Sequence, residues 1–220
     1  GRAIDGDAAT LRFGGDATAL DLSGVDDALT FEVVSGRTLT LRADQADDRA
    51  IEGAGNLVVT GVTAGIDLTG IDTTGTVTAT VTASADLSGV DLGTIDIVQV
   101  AAGQTLTLAT GQIDGLAING AGNVTVTGLG SDAVDLSAIT VSGTKTALVS
   151  DSAELNAGTK LGGFALSVAE AATLQLTAAQ ANGLTITGDG SVVVTNLGGA
   201  AADLSNITAQ ASAVVSGTVI

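Results

Sequence analysis

The stretch that decides the fold reads TLTL at residues 105–108 and GAGNVTVTG at residues 120–128. The same pair of elements occurs twice more, as TLTL at 38–41 with GAGNLVVTG at 53–61 and as TLQL at 173–176 with GDGSVVVT at 188–195. Two residues of the pattern recur 67 and 68 residues apart, namely Gln45, Gln112 and Gln180, and Gly53, Gly120 and Gly188. A fixed period of this length is the signature of a tandem-repeat architecture.

A second marker, Asp-Leu-Ser or Asp-Leu-Thr, has the same period. It begins at Asp67, Asp135 and Asp203, which are 68 residues apart. With Asp21-Leu22-Ser23 as the first boundary, the sequence predicts three repeat units over residues 21–85, 86–153 and 154–220. Residues 1–20 then correspond to the tail of a preceding unit, and we expect the array to belong to a longer one.

Short apolar–polar alternations recur within each unit. Val, Leu or Ile alternates with Thr or Ser, which is typical of half-buried strands with one dry and one wet face. Pairs such as Asn119-Gly120 and Asn182-Gly183 favour turns between these strands. Helical structure is limited to single turns near residues 43–50 and 177–181. The predicted strands include residues 29–34, 77–81, 124–127, 164–168 and 192–195.

Each unit could close as its own small sandwich, or the units could be coils of one continuous solenoid. A separate domain of this size needs a substantial core, yet the chain has no Cys and only three aromatic residues, Phe13, Phe31 and Phe164. Small Ala, Val and Gly side chains suit stacked coils, in which each rung buries its neighbours. The sequence therefore favours an all-β, right-handed parallel β-solenoid with coils of about 20 residues and about three coils per unit. Phe31 and Phe164 are expected to fill its core.

Composition removes several classes of function. Acidic residues outnumber basic ones 24 to 7, a formal charge of −17, and the chain has no His, Cys, Trp, Tyr, Met or Pro. An acidic chain is repelled by nucleic-acid phosphates and anionic lipids, and no apolar run has the length of a membrane span. We therefore expect no nucleic-acid binding and no membrane insertion. Without His or Cys there is no imidazole base, no thiolate nucleophile and no ordinary zinc, haem or iron–sulfur site.

No catalytic constellation emerges from the remaining residues. A polysaccharide lyase would need acids and bases converging in one groove, but the seven bases do not recur at equivalent repeat positions. Ser142-Gly143-Thr144-Lys145 matches the S-x-x-K pattern of serine acylases but lacks the helix start and the downstream K-T-G that the chemistry needs. The sequence predicts no enzyme and no catalytic, cofactor-binding or metal-binding residues.

Two binding chemistries compete with purely structural interpretations. Asp26, Asp27, Asp47 and Asp48 could share surface calcium sites, although the G-G-x-G-x-D-x-U-x nonapeptide of calcium β-rolls is absent, and solvated turn acids are the favoured interpretation. Stacked Thr-x-Thr pairs could form an ice-binding face, although Thr is also simply a good strand residue. The pairs lie at residues 38–40, 78–80, 105–107, 125–127 and 185–187.

The third unit carries a family resemblance. The run LQLTAAQANGLTITG at 174–188, followed by ADLSNIT at 202–208, resembles the β-strand repeats of very large secreted bacterial surface proteins, adhesin-like and S-layer-like, which are often exported by type I secretion. The resemblance implies an extracellular, cell-surface location, a structural or adhesive role and no enzymatic activity. The first unit departs from the pattern, with Asp47, Asp48 and Arg49 aligned to Ala181, Asn182 and Gly183 of the third.

These observations converge on a structural role. We expect a segment of a stiff extracellular rod, filament or surface layer that associates with itself, end to end or laterally. The alternative is a binding module that recognises a cell-surface glycan, a cell-surface protein or ice.

Overall fold

The computed structural model describes residues 9–22, 25–26, 28–198 and 201–213. It confirms the predicted fold class, because the chain is an all-β solenoid whose parallel strands recur in stacked coils about 20 residues apart, for about ten turns. The elements are β1 (Thr10–Phe13), β2 (Thr30–Val33), β3 (Thr38–Arg42), α1 (Ala43–Ala46), β4 (Ile51–Gly53), β5 (Asn56–Thr60), β6 (Ile71–Thr73), β7 (Val77–Val81), β8 (Ala85–Asp86), β9 (Ile97–Val100), β10 (Thr105–Ala109), a 3-10 turn (Thr110–Gln112), β11 (Ala117–Gly120), β12 (Asn123–Thr127), β13 (Lys145–Val149), β14 (Ala153–Glu154), β15 (Ala165–Val168), β16 (Thr173–Thr177), α2 (Ala178–Ala181), β17 (Ile186–Thr187), β18 (Ser191–Thr195) and β19 (Gln210–Ala213).

The chain forms two compact units. The first comprises Gly1–Leu106, Asp114–Asn123 and Thr140–Gly143, and the second comprises Thr107–Ile113, Val124–Ile139 and Thr144–Ile220. The first unit holds the parallel sheets β1-β2-β4-β6 and β3-β5-β7-β9-β11, and the second holds β12-β13-β15-β17 and β14-β16-β18-β19. The predicted repeat boundaries, the continuity of one stack and its right-handedness stay predictions.

Equivalent strands of successive sequence repeats do not lie in the same sheet, because each repeat begins one face further round the solenoid than the repeat before it. In the first unit, β2 and β4 share a sheet with β6, whereas their repeat equivalents β9 and β11 lie in the other sheet, stacked on β7. In the second unit, the next equivalents, β15 and β17, are stacked in the same way on β13. Within one coil, residues 71–86 run through three strands, β6, β7 and β8. One repeat therefore spans three coils and one further face.

The core consists of small and branched apolar side chains in vertical rows. Leu41, Val59, Ala79, Val98 and Ile118 lie in register on five successive strands, and each is at most 1% exposed. The alternate residues of these strands face outward, as the sequence pattern predicts. Phe31 and Phe164 are buried, at 0% and 2% exposure, which confirms their expected place in the core.

The recurring glycines are required by backbone geometry. Gly53, Gly120 and Gly188 have φ angles of 113°, 117° and 107°. A β-carbon at these positions would lie 2.1–2.3 Å from the carbonyl oxygen of a valine in the preceding coil. Only glycine fits such a turn without displacing backbone, which explains why it recurs with the period of the repeat.

Two of the recurring glutamines, Gln45 and Gln180, link one coil to another at the single helical turns. Gln45 Oε1 accepts from the Arg42 N–H at 2.9 Å, and Gln45 Nε2 donates to the Leu20 carbonyl at 2.9 Å. Gln180 makes the corresponding bonds at α2, accepting from Thr177 N–H and donating to Leu155 O, both at 2.9 Å. Each glutamine thus satisfies a backbone donor of its own turn and a carbonyl 25 residues earlier.

The structure corrects one alignment. Asp48 has a positive φ of 52° and donates its N–H to the Asp67 carbonyl at 2.9 Å, and Gly183 has φ 70° and donates to the Asp203 carbonyl at 2.9 Å. Asp48 is therefore equivalent to Gly183, Asp47 to Asn182 and Arg49 to Leu184. The prediction that Asp47, Asp48 and Arg49 align with Ala181, Asn182 and Gly183 is wrong by one residue.

Candidate functional surfaces

The outward strand faces carry no continuous threonine array among the described residues. In sheet β3-β5-β7-β9-β11 one outward row runs Thr40, Val58, Thr78, Ile97 and Ala117. The predicted Thr-x-Thr pairs 38–40 and 78–80 lie in this sheet, but β5 separates them. In the second unit the row that begins at Thr127 continues into Leu148. The strands therefore interrupt the Thr rows with branched apolar side chains.

The aspartates of the second sequence marker close turns. Asp67 Oδ1 accepts from the backbone N–H of Thr69 at 2.9 Å and from its hydroxyl at 2.6 Å. Asp203 makes the same two bonds with Ser205, at 3.0 and 2.7 Å. The pKa of each carboxyl lies below its ordinary value because these donors favour the ionised form. These bonds account for the recurrence of Asp-x-Ser/Thr in structural terms.

Two of the four aspartates considered as calcium ligands accept backbone hydrogen bonds through their carboxylates. Asp26 Oδ1 accepts from the Ala28 N–H at 3.0 Å, and Asp47 Oδ1 accepts from the Asp67 N–H at 2.7 Å. Asp27 lies outside the described residues. Within the part of the chain that the structure describes, no three acidic side chains group closely enough to hold a metal ion. Calcium binding stays a prediction.

One outward row of the first unit is acidic. Glu32, Glu52 and Asp72 are in register on β2, β4 and β6, and Arg12 on β1 pairs with Glu32 at 3.2 Å. Stacked like charges on adjacent strands are unfavourable. The second repeat has the neutral Gln99 and Asn119 in place of Glu32 and Glu52, so this row is particular to the first repeat.

The S-x-x-K motif does not meet its structural requirement. Lys145 begins strand β13, whereas the acylase chemistry needs the motif at the start of a helix. The Lys145 ammonium donates to the Gly162 carbonyl and lies 5.5 Å from the centre of the Phe164 ring. Lys145 therefore acts as a packing and hydrogen-bonding group at the edge of the core.

A charged pocket lies at one corner of the first unit, between residues 19–22 and the turn that contains α1. It has a volume of about 510 Å³. Arg42 and Asp44 form a bidentate ion pair at its exposed side, with N–O distances of 3.0 and 3.1 Å. This pair raises the pKa of Arg42 and lowers the pKa of Asp44. We call this cavity the Arg42–Arg49 pocket.

Arg49 forms the buried side of the Arg42–Arg49 pocket and is 5% exposed. Its Nε donates to the Gln45 carbonyl at 3.0 Å and its Nη1 to the Asp26 carbonyl at 3.2 Å. Its guanidinium lies 4.5 Å from the centre of the Phe31 ring, within range of a cation–π contact. The sequence analysis did not group these residues. Their charges are noticeable only as departures from the other repeats, and the predicted alignment of the first repeat with the third was shifted by one residue.

Comparison with known proteins identifies no relative: no family model, no curated protein and no solved structure matches the chain. The resemblance to adhesin-like and S-layer-like repeats therefore stays a prediction. Among the described residues, no helix is long and apolar enough to cross a membrane.

Proposed function

We propose that the chain is a structural segment of a bacterial extracellular stalk, filament or surface layer. The observation that carries this proposal is the repeated parallel ladder. In each unit, in-register strands stack over rows of buried apolar side chains, and glutamine bonds recur at equivalent turns. Such a ladder couples every coil to its neighbours through backbone hydrogen bonds, a property suited to bearing load.

Self-association is part of this proposal, and an open strand edge supports it. The Ala9 and Phe13 carbonyls accept from the β2 side, at 3.2 Å each. In a parallel strand the backbone groups of alternate residues point to opposite sides, so those of Thr10 and Arg12 face away from β2. No strand among the described residues pairs with that edge of β1. A second copy could add its last strand there, as edge strands commonly do.

Sedimentation velocity over a wide concentration range, with electron microscopy of the concentrated samples, tests this proposal. We expect growing oligomers or filaments. Thr10→Pro removes the outward N–H and should reduce association, whereas the matched control Thr10→Val keeps the N–H and should associate like the wild type. A strict monomer at high concentration, or equal association of both variants, would contradict end-to-end pairing at β1.

The alternative is a binding module at the cell surface, directed at a glycan, a protein or ice. Interruption of the Thr rows by Val58 and Ile97 weighs against ice binding, because an ice-binding face needs a regular array of hydroxyls. A thermal-hysteresis measurement tests it, and we expect none. Among these three partners, the Arg42–Arg49 pocket favours a glycan.

A further inference from the structure

We propose that the Arg42–Arg49 pocket binds a small acidic sugar, with the sugar carboxylate toward the arginines and its hydroxyls toward Asp21 and Asp44. This inference goes beyond the structural role proposed above. It stands or falls by itself, because it concerns one corner of the first unit and does not depend on self-association.

The internal repeats show that the charges of this pocket are not needed for the fold. Gln180 and Leu155 make the same bond as Gln45 and Leu20, so the corresponding corner of the third repeat can be aligned residue by residue. All four charged positions are neutral there, since Asp21, Arg42, Asp44 and Arg49 correspond to Asn156, Thr177, Ala179 and Leu184. The second repeat is also neutral, with Ser88, Ala109, Gly111 and Leu116.

The four departures converge in space. Asp21, Arg42, Asp44 and Arg49 are distributed over 29 residues of sequence, yet all of them line one cavity. The pocket is about half open to solvent and lined mainly by polar atoms, so it suits a small polar ligand and not a large apolar one. Two repeats fold at this corner with neutral side chains, so the fold does not account for the exposed charges of Arg42 and Asp44, whereas Arg49 also packs on Phe31, which the other repeats replace by Val98 and Leu166.

The chemistry of the lining defines the ligand class. Arg42 holds Asp44 through its Nε and Nη2, which leaves its Nη1 to donate to a ligand carboxylate, and the buried Arg49, held by the Gln45 and Asp26 carbonyls, adds positive charge behind it. Carboxylate oxygens have two lone pairs each and so can accept sugar hydroxyls in addition to the bonds they already make. The pocket balances two positive charges against two negative ones, whereas the chain as a whole carries −17 and repels anions. A ligand that joins one carboxylate to several hydroxyls matches this lining.

Affinity is expected to be modest. The chain has no Trp or Tyr on which a sugar ring could stack, so recognition depends on charge and hydrogen bonds alone. A monosaccharide with about a dozen heavy atoms then has an expected Kd of about 1 mM.

The test is a titration followed by the arginine Nε–Hε resonances in ¹⁵N-labelled protein. The chain has five arginines, so the spectrum contains few signals, and those of Arg12 and Arg37 serve as internal references. At constant ionic strength, D-galacturonate should shift the Arg42 and Arg49 resonances saturably and leave the references in place. D-galactose should shift none of them, and acetate should require at least tenfold higher concentration.

A double variant supplies the matched control. Arg42→Thr with Asp44→Ala installs the residues of the third repeat, which that repeat tolerates, and it should abolish the Arg49 shift while the unfolding midpoint stays within a few degrees of the wild type. Arg37→Thr, an exposed arginine outside the pocket, should bind normally. Equal shifts at all arginines, binding of galactose or acetate as strong as that of galacturonate, or unchanged binding by the double variant would each overturn the proposal.

Discussion

Replacing Gly120 by alanine should be among the most destabilising single-carbon changes in this chain. Gly120 has a φ of 117°, and an added β-carbon would lie 2.3 Å from the Val100 carbonyl oxygen and 2.8 Å from the Val100 nitrogen. Strain at such a φ costs about 1–3 kcal/mol for an L-residue. Relief of the contact requires movement of backbone in the adjacent coil, a further cost of about 1–3 kcal/mol. The free energy of unfolding should therefore fall by roughly 2–6 kcal/mol.

Urea unfolding followed by circular dichroism measures this loss, and a matched control lies in the same repeat. A β-carbon added at Gly111 would meet no atom within 4 Å, and the φ of Gly111 is not positive. Gly111→Ala should therefore leave the free energy of unfolding within about 0.5 kcal/mol of the wild type or raise it slightly. Gly53→Ala and Gly188→Ala should behave like Gly120→Ala. If Gly120→Ala were as stable as Gly111→Ala, the assignment of these glycines to backbone crowding would be refuted.

Three further changes probe a recurring glutamine, the buried Phe31 and a recurring turn aspartate. Gln180→Ala leaves the Thr177 N–H and the Leu155 carbonyl without their partner and should cost about 2–4 kcal/mol in urea unfolding, whereas Gln175→Ala on the outward face of β16 should cost under about 1 kcal/mol. Phe31→Ala empties a fully buried site and should cost about 3–5 kcal/mol; a loss below about 1 kcal/mol would show that the surrounding rows collapse into the space. The lowered pKa of Asp203 means that its contribution to stability is present above the unfolded value of about 3.9 and is lost as the pH falls below it. Asp203→Asn should therefore flatten the decline of the urea midpoint on acidification, and an unchanged slope would contradict that role.

The sequence predicted the strands and the size of the coils because both depend on local patterns. Alternation of Val or Leu with Thr marks β7 and β12 without any knowledge of their neighbours. The 67-residue period identified Gln45 and Gly53 as recurring elements, although it did not disclose their bonds. The Gln45–Leu20 bond and the close approach of Gly53 to Val33 join residues 25 and 20 positions apart, and only the stacking of coils brings these partners together.

The charged corner could not be predicted because its members belong to different coils. Asp21 and Arg49 are separated by more than one coil, and Arg42 lies in a strand pattern that its apolar neighbours dominate. The charges stand out only when the repeats are compared, and the positive-φ residues Asp48 and Gly183 are needed to align them. A position that demands a left-handed backbone tolerates few residue types, so it is a more reliable anchor than similarity of side chains.

The junctions between consecutive repeats share one pattern of strand pairing. In the first unit β7 meets β9 with Thr78 beside Ile97 and Ala79 beside Val98. In the second unit β13 meets β15 with Thr146 beside Ala165 and Ala147 beside Leu166, and each of these residues lies 68 positions after its counterpart. Because the register of the two junctions is the same, the first strands of any repeat can stack on the last strands of the repeat before it. Insertion or loss of a whole repeat would thus keep the strand register, whereas loss of three coils alone would stack strands that are not equivalent to the pairs seen at these junctions. The shared register of the β7–β9 and β13–β15 junctions is therefore what lets consecutive repeats join without an adapting segment.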